Sequence, residues 1–133
     1  MKSGTSPGKY RRRRIGYCYC NAWMTMIRAN GCPNRKYPDP NGPLIYCEGQ
    51  TDCVGDWIPH AFLVDRQGYV VDPTLRHPAE HRYIGVPLRV EWVNECIVQT
   101  GEYSDVLAPF ATSLTEKELL ERVIEPFPGP RKR

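Results

Sequence analysis

Three side chains in this sequence, Cys18, His60 and Asp72, have the types, order and local settings that nucleophilic catalysis needs. A thiolate attacks an acyl carbon, an imidazole beside it carries the proton, and a carboxylate orients the imidazole. Cys18 lies in Gly16-Tyr17-Cys18-Tyr19-Cys20-Asn21-Ala22, at the start of a run with helical character. A helix N-terminus favours a thiolate, and its free N–H groups can hold an oxyanion. His60 opens the apolar run His60-Ala61-Phe62-Leu63-Val64, which reads as a strand, and Asp72 closes the next one, Tyr69-Val70-Val71. Arg66-Gln67-Gly68 between them has hairpin-turn chemistry. Pairing residue 64 with 69 sets residue 60 near residue 73, so Asp72 falls beside His60.

Cys20 is the alternative nucleophile, one step into the same helix. Asn21 and Glu48 are the candidate oxyanion or support residues. Asn21 can donate to an oxyanion or cap a turn; Glu48 can pair with an Arg or position a helix, and structural roles are expected for both. His77 and His81 sit in a polar loop without such a setting.

The elements that must position these groups follow from pattern. Residues 18–30 form a helix with Tyr19, Cys20, Trp23, Met26 and Ile27 on a core-facing stripe and Gly31 at its stop. Residues 31–43 hold four Pro and two Gly and form an irregular loop. Residues 44–49 are a short strand, 50–59 a loop, and 60–72 the hairpin. Residues 73–82 are a polar loop. Residues 83–86 and 88–98 read as further strands, the second because polar and apolar residues alternate over Arg89-Val90-Glu91-Trp92-Val93. Residues 99–112 have no clear pattern. Ser113-Leu114-Thr115-Glu116 fits a capping box for a helix over 114–124 that Pro126 ends. The expected fold is α+β: a nucleophile helix packed on a mainly antiparallel sheet, with a C-terminal helix.

The motifs resemble those of the papain-like, transglutaminase-like cysteine enzymes, including small bacterial and phage proteins. Cys18-Tyr19-Cys20-Asn21-Ala22, Tyr46-Cys47-Glu48-Gly49, His60-Ala61-Phe62, Asp72-Pro73-Thr74 and Tyr83-Ile84-Gly85 occur in the family's order across about half the chain. Phe62 stands where Trp is usual, and Cys47 interrupts the Tyr-x-Glu-Gly strand. The resemblance implies a papain-like fold and a cysteine hydrolase or acyltransferase (thiol protease, amidase, deamidase or transglutaminase-like) acting on an amide or thioester. Cys18 would be its nucleophile, and it needs no cofactor and no metal. The substrate is left open.

Composition bounds the rest. The 133 residues suit one domain, with 41% hydrophobic and 25% charged residues, both ordinary for a globular chain. The expected division is a disordered basic arm over 1–14, a single domain over 15–125 and a Pro-rich basic tail over 126–133. The formal net charge of +3 hides a split. Six cations lie in the arm and three at 131–133, so nine cations face fifteen acids in the body, a balance of −6. The basic ends allow weak nonspecific contact with a polyanion. No apolar run reaches the ~18–20 residues of a membrane span, and no secretory signal pattern follows the N-terminal cations. A cytoplasmic setting, host cytoplasm if phage-encoded, is therefore expected, with the six cysteines mostly free. Two other classes stay in view. One is a catalytically inert papain-like module whose basic ends contact nucleic acid or a virion or protein partner. The other is a zinc module built from Cys18, Cys20, Cys47, Cys53 and His60, although these spacings fit zinc knuckles poorly.

Overall fold

A computed structural model describes residues 17–53 and 55–126. The elements run α1 (Cys18–Asn30), β1 (Leu44–Cys53), β2 (Asp56–Asp65), β3 (Val70–Val71), β4 (Tyr83–Pro87), α2 (Val90–Thr100), α3 (Leu107–Ala111) and α4 (Glu116–Glu118), which continues as a π-helical turn over Leu119–Val123. The fold is α+β: a four-stranded antiparallel sheet ordered β3-β2-β1-β4, with helices against it. The basic arm and all but the first residue of the tail lie outside the described residues. No helix among the described residues is long and apolar enough to cross a membrane.

Side chains alternate across the sheet. Leu44, Tyr46, Ala61, Leu63 and Val71 face one side and pack with Ala22, Trp23 and Met26 of α1 and with Val90, Val93 and Cys96 of α2. The Trp23 ring meets the Tyr46 ring edge-on, with centroids 5.8 Å apart. Ile45, Cys47, Phe62, Val64, Val70 and Tyr83 form a second cluster on the other side.

Three expectations are corrected. Residues 50–59 are not a loop: β1 and β2 pair through Cys53↔Asp56, turning at Gly55 with φ 86°. Thr51, Trp57 and Ile58 favour strand here, and the polar content reflects exposure of the hairpin end. Residues 90–100 are helix, not strand. The buried positions Val90, Val93 and Cys96 are spaced by three, which a five-residue alternation cannot distinguish from period two. The capping box sits at Thr115, not Ser113: Thr115 Oγ1 accepts from the Glu118 N–H and the Glu118 carboxylate accepts from the Thr115 N–H. The helix therefore starts two residues later than the sequence pattern indicates, and Ile124 leaves it to bridge Leu88.

The register also explains why β3 is so short. The bond from Asp65 N–H to Tyr69 C=O marks 65↔69, and hence 63↔71, as hydrogen-bonded pairs. The next such pair would be Ala61 with Pro73, which has no N–H to give. The ladder stops at Val71, and β2 from Phe62 back to Asp56 has no strand on that side among the described residues. A close approach on the other side is equally specific. Gly49 pairs with both His60 and Gly85, and a Cβ on Gly49 would lie 2.0 Å from the Ile84 carbonyl oxygen. Backbone cannot yield as a side-chain tip can. Gly49→Ala should therefore destabilise the fold by ~1–3 kcal/mol, read as a lower urea midpoint at unchanged slope; an unshifted midpoint would contradict the register.

Candidate active site

His60 and Asp72 are brought together by the strand register. With 63↔71 aligned, Phe62 lies opposite Asp72, and His60 is its diagonal neighbour on the same face. His60 Nε2 donates to Asp72 Oδ2 at 2.8 Å, with only 4% and 0% of the two side chains exposed. The expected pairing of 60 with 73 is thus one residue short, and the side-chain contact forms across the diagonal.

A carboxylate without water needs donors, and Asp72 has four. Thr74 N–H and Leu75 N–H reach Oδ1 at 2.9 and 3.1 Å, closing a turn that Asp72-Pro73-Thr74 encodes locally. His60 and the Tyr83 hydroxyl, also at 2.8 Å, reach Oδ2. Burial alone would raise the Asp72 pKa; the His60 hydrogen bond and charge, then the Thr74 and Tyr83 hydrogen bonds, hold it below the usual carboxylate range.

Cys18 opens α1, and its thiol favours the cationic form of the His60 ring. Since Nε2 is committed to a carboxylate that only accepts, Nδ1 is left for the sulfur. Burial works against the imidazolium, but the hydrogen bonds to Asp72 and then Cys18, with their charges, push the His60 pKa up to about 9. The first intrahelical bond of α1 runs from Asn21 N–H to Tyr17 C=O at 2.8 Å. The N–H groups of Cys18, Tyr19 and Cys20 therefore have no partner within the helix and point toward its N-terminal end.

The remaining expected residues separate clearly. Cys20 is part-exposed and does not act on His60; two residues along a helix is a rotation of about 200°, which turns it away when Cys18 faces the ring. Asn21 is buried, and its Nδ2 donates to Thr74 Oγ1 at 3.0 Å, so it ties α1 to the turn that carries Asp72. Among the described residues Glu48 has no Arg as a hydrogen-bond partner. Its carboxylate accepts from Val106 N–H and Leu107 N–H at 3.0 and 2.8 Å, which secures the start of α3. Burial raises the Glu48 pKa against those two bonds. Asn21 and Glu48 are thus support residues. The zinc set does not assemble: no three His, Cys, Asp or Glu side chains converge in metal-holding geometry among the described residues.

Thr74, Tyr83 and Gly85 lie within the motifs, but their tasks show only in the fold. Thr74 receives Asn21, Tyr83 binds Asp72, and Gly85 makes room for Phe62, whose ring stacks on His60 at 6.2 Å and 15°. A Cβ on Gly85 would lie 2.7 Å from Phe62 Cζ.

His60 holds its proton more tightly in the folded chain than the ordinary 6.5. That proton's contribution to stability is whole below pH ~6.5 and lost as pH rises through about 9. The melting temperature of the wild type should fall across that window relative to His60→Gln, measured by calorimetry in buffers of matched ionic strength. Parallel curves for the two proteins would show that His60 is not held as a cation.

No protein-family model, curated protein or solved structure matches this chain.

Proposed function

We propose that this protein is a papain-like cysteine enzyme, a hydrolase or acyltransferase acting on an amide or thioester. The observation that carries the reading is the buried 2.8 Å bond between His60 and Asp72, with the Cys18 thiol near enough to favour the imidazolium. A nucleophile helix against an antiparallel sheet that supplies the base and the acid supports the papain-like assignment.

The steps balance as follows. Cys18 Sγ attacks the acyl carbon, forming a C–S bond and placing negative charge on the acyl oxygen. N–H groups at the start of α1 are suited to hold that charge. The intermediate collapses, the bond to the leaving nitrogen or sulfur breaks, and imidazolium His60 gives its proton to the leaving group. The product is a thioester on Cys18 with a neutral His60. Water, or an acceptor amine, then attacks the thioester carbon and gives its proton to His60. The C–S bond breaks and the thiolate–imidazolium pair returns. Asp72 keeps Nε2 protonated and Nδ1 facing the sulfur throughout. The substrate is a protein, peptide or other amide. The basic arm and tail are proposed to add a weak contact with polyanions, and the setting proposed is cytoplasmic.

Competition among the thiols tests the reading. Native protein treated with limiting iodoacetamide and mapped by mass spectrometry should label Cys18 on the order of 10-fold or more faster than the part-exposed Cys20, Cys32 and Cys53. His60→Ala should remove that lead. Equal rates, or a lead for Cys20, would overturn the assignment and return the chain to the inert-module reading.

A further inference from the structure

Tyr83 has an odd position for a residue that touches Asp72. It begins β4, at the far side of the sheet from β3, and pairs with Thr51 of β1. Its hydroxyl nevertheless reaches Asp72 Oδ2, so the side chain spans from the β4 edge back over β1 and β2. The row beside it runs His60–Gly49–Gly85, and Gly85 leaves the space that a Cβ there would take from Phe62. The Tyr83 ring packs against Phe62, with centroids 4.9 Å apart, and lies 6.3 Å from the His60 ring. Tyr83 is only 7% exposed.

We propose that Tyr83 is a positioning residue of this site, a fourth member that shares Asp72 Oδ2 with His60 and sets how strongly the carboxylate holds the imidazole. The proposal rests on the acyl-transfer reading above. Asp72 Oδ1 is held within its own turn by Thr74 and Leu75, so only Oδ2 answers to groups from elsewhere in the fold. Both of its donors come from other strands, His60 from β2 and Tyr83 from β4. Burial and the neighbouring Asp72 charge raise the Tyr83 pKa, so the phenol stays protonated and acts as a donor across the working range. A donor on Oδ2 draws charge away from the bond to His60 and moderates the imidazolium. The groups that face His60 are Asp72, Cys18 and the Phe62 and Tyr83 rings. Those that act on Tyr83 besides Asp72 are Thr51 and Asp52.

The experiment reads the pH dependence of Cys18 alkylation by iodoacetamide in the full chain, where the alkaline inflection marks loss of the His60 proton. Tyr83→Phe keeps the ring and removes the donor. The inflection should move up by ~0.5–1 pH unit, a fraction of a hydrogen bond to a charged group. Replacing Tyr83 alone by a mono-fluorinated tyrosine, a stronger donor of nearly the same shape, should move it down. If Tyr83→Phe fails to fold, the fluorinated protein decides by itself. A folded Tyr83→Phe protein, or a fluorinated one, whose profile superimposes on wild type overturns the Tyr83 role. A wild type in which Cys18 shows no lead over the other thiols overturns the acyl-transfer reading instead, so the two failures are distinguishable.

Discussion

The bond from His60 Nε2 to Asp72 Oδ2 lies where water does not reach, and much of the site is arranged around that fact. A buried carboxylate is tolerated only when its charge is met by donors and an opposite charge. Asp72 receives two backbone N–H groups from its own turn, a phenol from β4 and the imidazole from β2. Removing the imidazole alone would leave a desolvated charge, so the same pairing that orients His60 also constrains the fold. The carboxylate in turn keeps the proton on the ring, and Cys18 adds to the pull that favours the cation.

The backbone delivers these groups by small, local devices. Pro73 cannot donate, so β3 ends at Val71 and the edge of β2 next to His60 carries no strand among the described residues. Asn21 on α1 binds Thr74, two residues past Asp72, so the helix and the Asp72 turn are tied through one side-chain bond. Gly85 clears the face on which Phe62 and Tyr83 close over His60. Glu48, one residue from Gly49, holds the start of α3 on the opposite face.

The parts of this arrangement that were legible in the sequence are those with local signatures. The hairpin turn at 66–68, the helix opening at Cys18 and the Asp-Pro-Thr turn each carry their own chemistry, and their spacing alone brought Asp72 next to His60. What was not legible depended on partners distant in sequence. Arg89–Val93 alternates like a strand over five residues, and only the burial of Val90, Val93 and Cys96 against the sheet decides for a helix. Residues 50–59 look like a loop because the outer end of the β1–β2 hairpin is largely exposed and polar, although residues 50–53 pair with 56–59. The tasks of Asn21 and Tyr83 are set by Thr74 and Asp72, 53 and 11 residues away, and no spacing rule announces them.

The most direct test of the account is the titration of the His60 imidazole, followed by NMR in protein labelled at histidine, with His60→Gln to assign the signal. Held between Asp72 and Cys18, the ring should keep its proton well above the ordinary 6.5, with an inflection near pH 9, and Asp72→Asn should bring that inflection down. An inflection at or below 6.5 in the wild type would mean that burial prevails over the two partners, and would contradict the Cys18–His60–Asp72 assembly.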